Sequence, residues 1–480
     1  MSGKTGVDGA SPAPVATQTT RTRQFSLRAV ERRLLLLVGD AATWWLGGAI
    51  TIAILRPPRF DVASGPRSVS IALAAVLAWW LWGWVNGAYD IQLSSRASSL
   101  VPALLRAMLF QSLSFVGLAF FARGFTGRVV WAWWLFVAFV LLALWRSLYL
   151  SVLTLPMFAR RIVLAGDDDF LAQLAHGTLP RWSEHYRVVG FVDAGSGRIP
   201  DGGLPLLGQL SALPVLADQL QVREVVVGKD VLQNQATLEQ LVSCRNLGIK
   251  VTPAAQLYEE LTGQVPLSQI DHYWIMDLPN RAILNRPYTA LKRLVDIVLS
   301  LLGLVVLLVL GPLVALAILI DSGRPIFYTQ LRTGLHGREF RLLKFRTMRI
   351  DAEKGDEARW AVPGDERITR VGRFLRRVRL DELPQVLTIL KGEMTVVGPR
   401  PERPQLIAEL EKSIPFYRTR LEVKPGLTGW AQVNEGYGAS VEDTVTKLQY
   451  DLYYVKHQSV FLDAVIVVKT FGVLARLSGR

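Results

Sequence analysis

Apolar residues gather into long blocks along this chain, separated by short charged breaks. Four blocks come early, near residues 34–55, 71–88, 103–122 and 129–153. Each approaches the ~20 residues that a helix needs to cross a ~30 Å hydrocarbon core. The breaks hold Arg56-Pro57-Pro58-Arg59, Asp90 with Arg96, and Arg123-Gly124. Four transmembrane helices are therefore expected over residues 31–155. Residues 1–30, rich in Ser, Thr, Ala and Pro, read as a disordered cytoplasmic tail without the apolar core of a secretory signal. Arg21, Arg23, Arg28, Arg32 and Arg33 precede the first block and favour a cytoplasmic N-terminus, with Arg56, Arg59, Arg67, Arg123 and Arg128 opposing. Four crossings return the chain to the cytoplasm at Arg160.

The pattern changes over residues 156–280. Arg161–Gly166, Val188–Val192, Glu224–Gly228 and Ile249–Thr252 read as buried strands. Between them, 168–176, 211–220 and 235–247 read as helices. Alternating strands and helices predict a parallel, Rossmann-like sheet. Gly166 is followed by Asp167-Asp168-Asp169, where a dinucleotide fingerprint needs glycines and a bare helix N-terminus. Three carboxylates would repel a pyrophosphate, which favours a scaffold or regulatory domain over a nucleotide binder.

Residues 281–480 form a third region, opening on a nearly unbroken apolar stretch from Ile297 to Ile320. A helix of that length, ~36 Å, is long enough to cross a membrane. Lys292 and Arg293 stand before it, and Arg324, Arg332, Arg338 and Arg341 after it, so both ends favour the cytoplasmic side. Pro312, next to Gly311, removes a backbone hydrogen bond at mid-segment. A re-entrant helix over 294–320 fits both facts; an ordinary kinked span is the alternative, since membrane helices tolerate proline.

Composition agrees with a membrane protein of mixed α and α/β type: 50% of 480 residues are hydrophobic, and 14 are Trp. The net charge of +14 then points to membrane lipid and anionic phosphates rather than to nucleic acid. Cys244 is the sole cysteine, which excludes an intrachain disulfide framework and a Cys-based metal site.

Four phrases in the last region bear chemistry: Lys344-Phe-Arg-Thr-Met348, Leu380-Asp-Glu-Leu-Pro-Gln385, Val397-Gly-Pro-Arg-Pro401 and Lys424-Pro-Gly-Leu-Thr-Gly-Trp430. Asp381 reads by itself as a helix N-cap, with Gly392 closing the helix Glu382–Lys391. Adjacent carboxylates beside basic residues are also what a Mg²⁺–phosphate site needs. Arg400, braced by two prolines, offers a pre-ordered fork to a phosphate. Just before the acidic pair, Val371, Phe374, Leu375 and Val378 follow helical spacing opposite several arginines. Such a helix suits either anionic headgroups or the surface of a soluble core.

In this order, after a basic-flanked apolar segment, the four phrases resemble the bacterial polyprenyl-phosphate hexose-1-phosphate transferases. These sugar transferases, which include undecaprenyl-phosphate glucose phosphotransferases, initiate exopolysaccharide, capsule and O-antigen synthesis. The likeness covers residues ~288–475, including Tyr450-Asp-Leu-Tyr-Tyr-Val455 and Asp463. It implies a phosphoglycosyl transferase domain over 281–480, a UDP-sugar donor, an undecaprenyl phosphate acceptor and Mg²⁺. Asp381 matches the nucleophile and Glu382 its partner, both as metal ligands, with Asp451 as a third. Lys344, Arg346, Arg379 and Arg400 match positions facing the phosphates. The resemblance also implies a re-entrant helix, a bacterial inner-membrane location with the catalytic domain cytoplasmic, and room for a homo-oligomer. Gly311-Pro312 departs from the Ser-Pro found in other members. The competing reading is a non-catalytic membrane protein with a ligand-sensing central domain; an NAD-dependent nucleotide-sugar modifier is a third, opposed by the Asp triplet.

Overall fold

The computed structural model describes residues 29–55, 66–89, 97–121, 128–153, 159–193, 203–233, 235–270, 274, 278, 286–350, 365–435 and 441–475. The N-terminal tail up to residue 28 and the breaks 56–59, 90–96 and 123–124 lie outside them.

Each early apolar block folds as one helix: α1 (Ala29–Leu55), α2 (Pro66–Val85), α3 (Ala97–Phe121) and α4 (Arg128–Leu153). Their inner faces share a cluster of Trp44, Trp79, Trp131 and Trp134 with Leu100 and Phe115. Leucine and valine side chains on the outer faces remain exposed, as a lipid-facing bundle requires. Among the described residues, Glu31–Leu55, Val129–Val152 and Pro287–Ser322 are long and apolar enough to cross a membrane; Leu73–Val85 and Leu100–Val116 are shorter apolar stretches. The protein is therefore membrane-associated. Asp40 is wholly buried in the bundle. Its carboxylate accepts from Trp79 Nε1 at 3.0 Å, from Tyr89 Oη at 2.7 Å, and from Arg146 Nε and Nη2 at 3.0 and 2.6 Å. Arg146 Nη1 also donates to the Ala88 carbonyl. One ion pair thus ties α1, α2 and α4 together.

The central region is a five-stranded parallel sheet in the order β3-β2-β1-β4-β5. Its strands are β1 (Arg160–Ala165), β2 (Tyr186–Asp193), β3 (Leu206–Gln209), β4 (Glu224–Val227) and β5 (Lys250–Pro253). The sequence reading found four of these and missed β3, a four-residue edge strand. Helices α5 (Asp169–Gln173), α6 (Leu213–Gln219), α7 (Gln235–Asn246) and α8 (Ala254–Thr262) cover the sheet. The strand interiors, Val163 to Ala165 and Val225 to Val227, are fully buried, which explains their unbroken apolar runs.

The third region begins with α9 (Arg286–Ser322), 37 residues of continuous helix. Pro312 lies within it and does not end it. One flank of α9 packs on protein: Val314 and Ile318 join a cluster with Phe345 and Leu375. The other flank, including Leu301, Val305, Leu308, Leu313 and Ile320, is exposed. Both ends of α9 are fastened to the same body. Near its start, Lys292 Nζ reaches the Val397 carbonyl and Asp463, Arg293 donates to the Ile389 and Leu390 carbonyls, and Asp296 accepts from Thr395 Oγ1 and Val396 N. At its end, Asp321 accepts from Val371 N and the Ser322 carbonyl from Arg346. That body contains the antiparallel pair β6 (Phe327–Thr333) and β7 (Glu339–Phe345), helix α10 (Arg370–Arg377) and helix α11 (Val386–Lys391). It continues through β8 (Thr395–Val397), helix α12 (Pro404–Ser413), β9 (Gly426–Thr428), helix α13 (Val441–Lys456) and helix α14 (Val460–Ala475). In α10, Val371 and Leu375 face α9 as the spacing predicts. Phe374 does not: it is exposed on the arginine side with Arg370, Arg373 and Arg377.

The ion pair in the bundle generates a stability prediction. Asp40→Ala leaves Arg146 buried without its counter-charge and should cost roughly 3–5 kcal/mol. Adding Arg146→Met should recover most of that loss. The fraction of monodisperse protein surviving stepwise heating in detergent measures both, and equal losses in single and double variants would contradict the pairing.

Candidate active site

Asp381 and Glu382 lie in a tight turn, Leu380–Gln385, entered through Arg379 in the left-handed region at φ 59°. The sequence reading placed Asp381 at a helix N-cap. Instead α11 begins at Val386, so Asp381 sits inside the preceding turn. The predicted stop is correct: Gly392 ends the helix at φ 86°.

Cations from separate elements converge on Glu382. Its Oε1 accepts from Lys344 Nζ on β7 at 3.0 Å and from Arg400 Nη2 at 2.6 Å, with Arg379 Nη1 at 3.9 Å. Burial by itself would raise this carboxyl, but Arg400 and Lys344 outweigh it and hold Glu382 well below the usual carboxylate range. Burial pushes the Lys344 ammonium down, with Glu382 pulling the other way. Asp381 goes in the opposite direction from its neighbour. Burial raises it first and the Glu382 charge second, against Lys344, Arg376 and Arg400. Its Oδ1 is buried and has no hydrogen-bond partner among the described residues. Two adjacent carboxylates are thus split by their surroundings: the cations favour the ionised form of one, while burial leaves the other a poorly solvated, more basic oxygen. Such a split is how acid and base roles are divided in one site.

Arg400 stands in the Pro399-Arg400-Pro401 loop after β8. Gly398 and Gly426 let β8 and β9 approach so closely that a side chain on either would strike the other strand's backbone. Arg420 Nη2 fixes the loop further by donating to the Arg400 carbonyl at 2.9 Å.

Two expected site residues are placed elsewhere. Arg346 Nη2 donates to the Ser322 carbonyl, Ser322 Oγ and the Gly323 carbonyl at 2.7, 2.9 and 2.6 Å. It closes the C-terminus of α9, whose last carbonyls lack partners within the helix. Asp451 on α13 forms a buried ion pair with Arg420 Nη2 at 2.7 Å, and burial pushes its carboxyl up to about 6 against Arg420's pull. Among the described residues, no three His, Cys, Asp or Glu side chains gather as a metal-holding group, so Asp451 does not join Asp381 and Glu382. The orphaned Asp381 Oδ1 does suit a cation that takes one or two carboxylates and completes its shell with phosphate oxygens. Trp430, the last residue of the fourth phrase, donates its Nε1 to the Gly263 carbonyl and stacks its ring on Tyr453, so it joins the central domain to the third region. Arg420 is the functional residue that sequence reasoning missed; no local motif marks it.

A buried carboxylate pair bracketed by Lys344 and Arg400 thus lies close to the exposed apolar helix α9. Residues 287–476 match the bacterial sugar transferase family model, and residues 85–251 match a model described as a CoA-binding domain. The chain is 40% identical over 231 residues to a UDP-N-acetylgalactosamine-undecaprenyl-phosphate N-acetylgalactosaminephosphotransferase of Aeromonas hydrophila, covering 48% of this chain and 53% of the relative. It is 32% identical to an undecaprenyl-phosphate glucose phosphotransferase of Komagataeibacter xylinus, over 72% of this chain and 65% of the relative. A sugar transferase of Bacillus subtilis, as yet uncharacterised, is 39% identical over 38% of this chain and 85% of its own length. The chain belongs to the bacterial sugar transferase family. The chain spans about half the length of the first relatives it matches, 53% and 56%.

The contrast between Asp381 and Asp451 can be measured. With Asp381 raised, the folded state holds this proton more tightly than the unfolded chain. Its contribution to stability is present below the ordinary carboxyl range and is lost as pH rises through the raised value. At neutral pH its ionised form therefore weighs against folding, and Asp381→Asn should melt at or above the wild-type temperature. Asp451→Ala, which strands Arg420, should lose roughly 3–5 kcal/mol. Thermal unfolding of both variants at pH 7.5 checks the pair; the reverse order would overturn these assignments.

Proposed function

We propose that this protein transfers a sugar-1-phosphate from a UDP-sugar to undecaprenyl phosphate, releasing UMP, as the first membrane step in building an exopolysaccharide, capsule or O-antigen. The observation that carries this reading is the buried, unpartnered Asp381 Oδ1 beside the cation-bound Glu382. The relatives, named for UDP-sugar donors and undecaprenyl phosphate acceptors, support the donor and acceptor classes.

In the first step, Asp381 attacks the sugar-linked phosphorus, the bond to the bridging oxygen breaks, and UMP leaves with the electron pair. In the second, a phosphate oxygen of the carrier attacks the phospho-aspartate, whose carboxylate is released unchanged. One phosphoanhydride is exchanged for another, so no further energy source is needed. Splitting a single displacement in two lets one site serve both polyanions in turn. Lys344, Arg379 and Arg400 offset the diphosphate's charge from fixed positions, and their pairing with Glu382 keeps them oriented beforehand. Mg²⁺, held by Asp381 and Glu382, would supply further charge neutralisation.

The helix α9 is read here as re-entrant, entering and leaving on the cytoplasmic face of the inner membrane, while α1 to α4 cross it. Support comes from both ends of α9 being fastened to one body, and from the basic residues flanking each end.

Asp381→Asn retains shape but removes the nucleophilic charge, and should lower turnover by roughly 10⁴-fold or more. Wild-type protein incubated with UDP-sugars in the absence of carrier should yield a peptide containing Asp381 with added sugar-phosphate mass. Near-normal turnover in Asp381→Asn ends this mechanism.

Topology has its own test. Cysteines placed at Ala290 and Arg324, in a variant lacking Cys244, should both react with impermeant thiol reagents from the cytoplasmic side only. Labelling of position 324 from the opposite side would show that α9 crosses.

A further inference from the structure

The central domain matches a model described as CoA-binding, and its sheet order puts a ligand crevice at the C-terminal ends of β1 and β4, where the strand order reverses. In this fold an anion is normally received there by free backbone N–H groups at a glycine turn and a helix N-terminus. The residues present do not fit such a ligand.

Four of the amides that follow β1 are already committed. Gly166 N donates to the Val192 carbonyl at 3.1 Å, and Asp167 N to Asp230 Oδ2 at 2.8 Å. Phe170 N donates to Asp168 Oδ1 at 2.9 Å, and Leu171 N to the Asp168 carbonyl at 2.9 Å. The helix behind them, α5, has only five residues before its winding changes, too few for a substantial end charge. The glycines have a different use as well. A Cβ on Gly166, which sits at φ 128°, would lie 2.7 Å from Asp230 Oδ1, and a Cβ on Gly228 would clash with the same oxygen. The space that glycine leaves open at this turn is filled by a carboxylate from the chain itself. Around it stand Asp167, Asp168 and Asp169, against a single nearby cation in the sequence, Lys229.

We infer that Asp230 is the resident ligand of this crevice: its carboxylate takes the place of a phosphate, and the domain accepts neither CoA nor a dinucleotide there. The carboxylate arrives from the first turn after β4 and bonds across the gap to the turn after β1. It therefore staples the two central strands at the point where a nucleotide would otherwise bridge them. A ligand phosphate entering would meet an occupied donor and four carboxylates in place of bare amides.

The test uses the full-length protein in lipid nanodiscs, with CoA and NAD⁺ as probes, since neither is a substrate of the proposed transfer. Calorimetry of the wild-type protein should show no saturable binding of either compound up to millimolar concentration. Saturable CoA binding would overturn the inference. Hydrogen exchange supplies a second reading that needs no ligand. In Asp230→Ala the peptide covering residues 162–171 should exchange about five- to tenfold faster at Asp167, the effect of losing one hydrogen bond. Asp230→Asn, which keeps an acceptor oxygen, should restore most of the protection. Unchanged exchange in Asp230→Ala, in protein that remains monodisperse, would equally overturn it.

Discussion

An ionised carboxylate survives inside a protein only where cations meet it, and Glu382 is met from three directions. Lys344 comes from β7, Arg400 from the loop after β8, and Arg379 from the entry of its own turn. The three cations are far apart in the chain, and only Arg379 is near Glu382 in sequence. The cluster therefore exists only when β7, the acidic turn and the β8 loop are all in place. The same struts hold α9: β8 through Asp296, and the chain leaving β7 through Arg346. Site assembly and the seating of the membrane helix are in this way one folding event. Asp381 is the residue that gains from the arrangement without being satisfied by it, which is the usual position of a reactive group.

Much of this was legible in the sequence, because the informative signals were local. Blocks of apolar residues of membrane length folded as the helices they suggested. Strands buried on both faces announced themselves as continuous runs of Val, Ile and Leu. Asp381, Glu382, Lys344 and Arg400 do converge, as their resemblance to the family implied.

What failed depended on partners supplied from far away. Arg346 and Lys344 are two apart, so a strand would point them the same way; but β7 ends at Phe345, and beyond it the bare carbonyls of α9 capture Arg346. Asp451 looks like any acidic ligand until Arg420, thirty-one positions earlier, is seen beside it. Phe374 lies mid-way along an eight-residue helix, too short for spacing to fix a face closely. The strand β3 is four residues long and follows Pro205, leaving no room for an alternating pattern.

The exposed flank of α9 sets how this protein meets its surroundings. A chain that keeps a row of leucines and valines in lipid has given up one of the three dimensions in which molecules usually search for each other. Anything that reaches the site along the lipid phase is encountered by lateral diffusion. Its effective abundance is then a mole fraction of the bilayer, indifferent to the volume of water outside. Anything that comes from the aqueous side still counts as an ordinary molar concentration. Diluting the membranes with buffer would thin out only the second kind of encounter, while diluting them with inert lipid would thin out only the first.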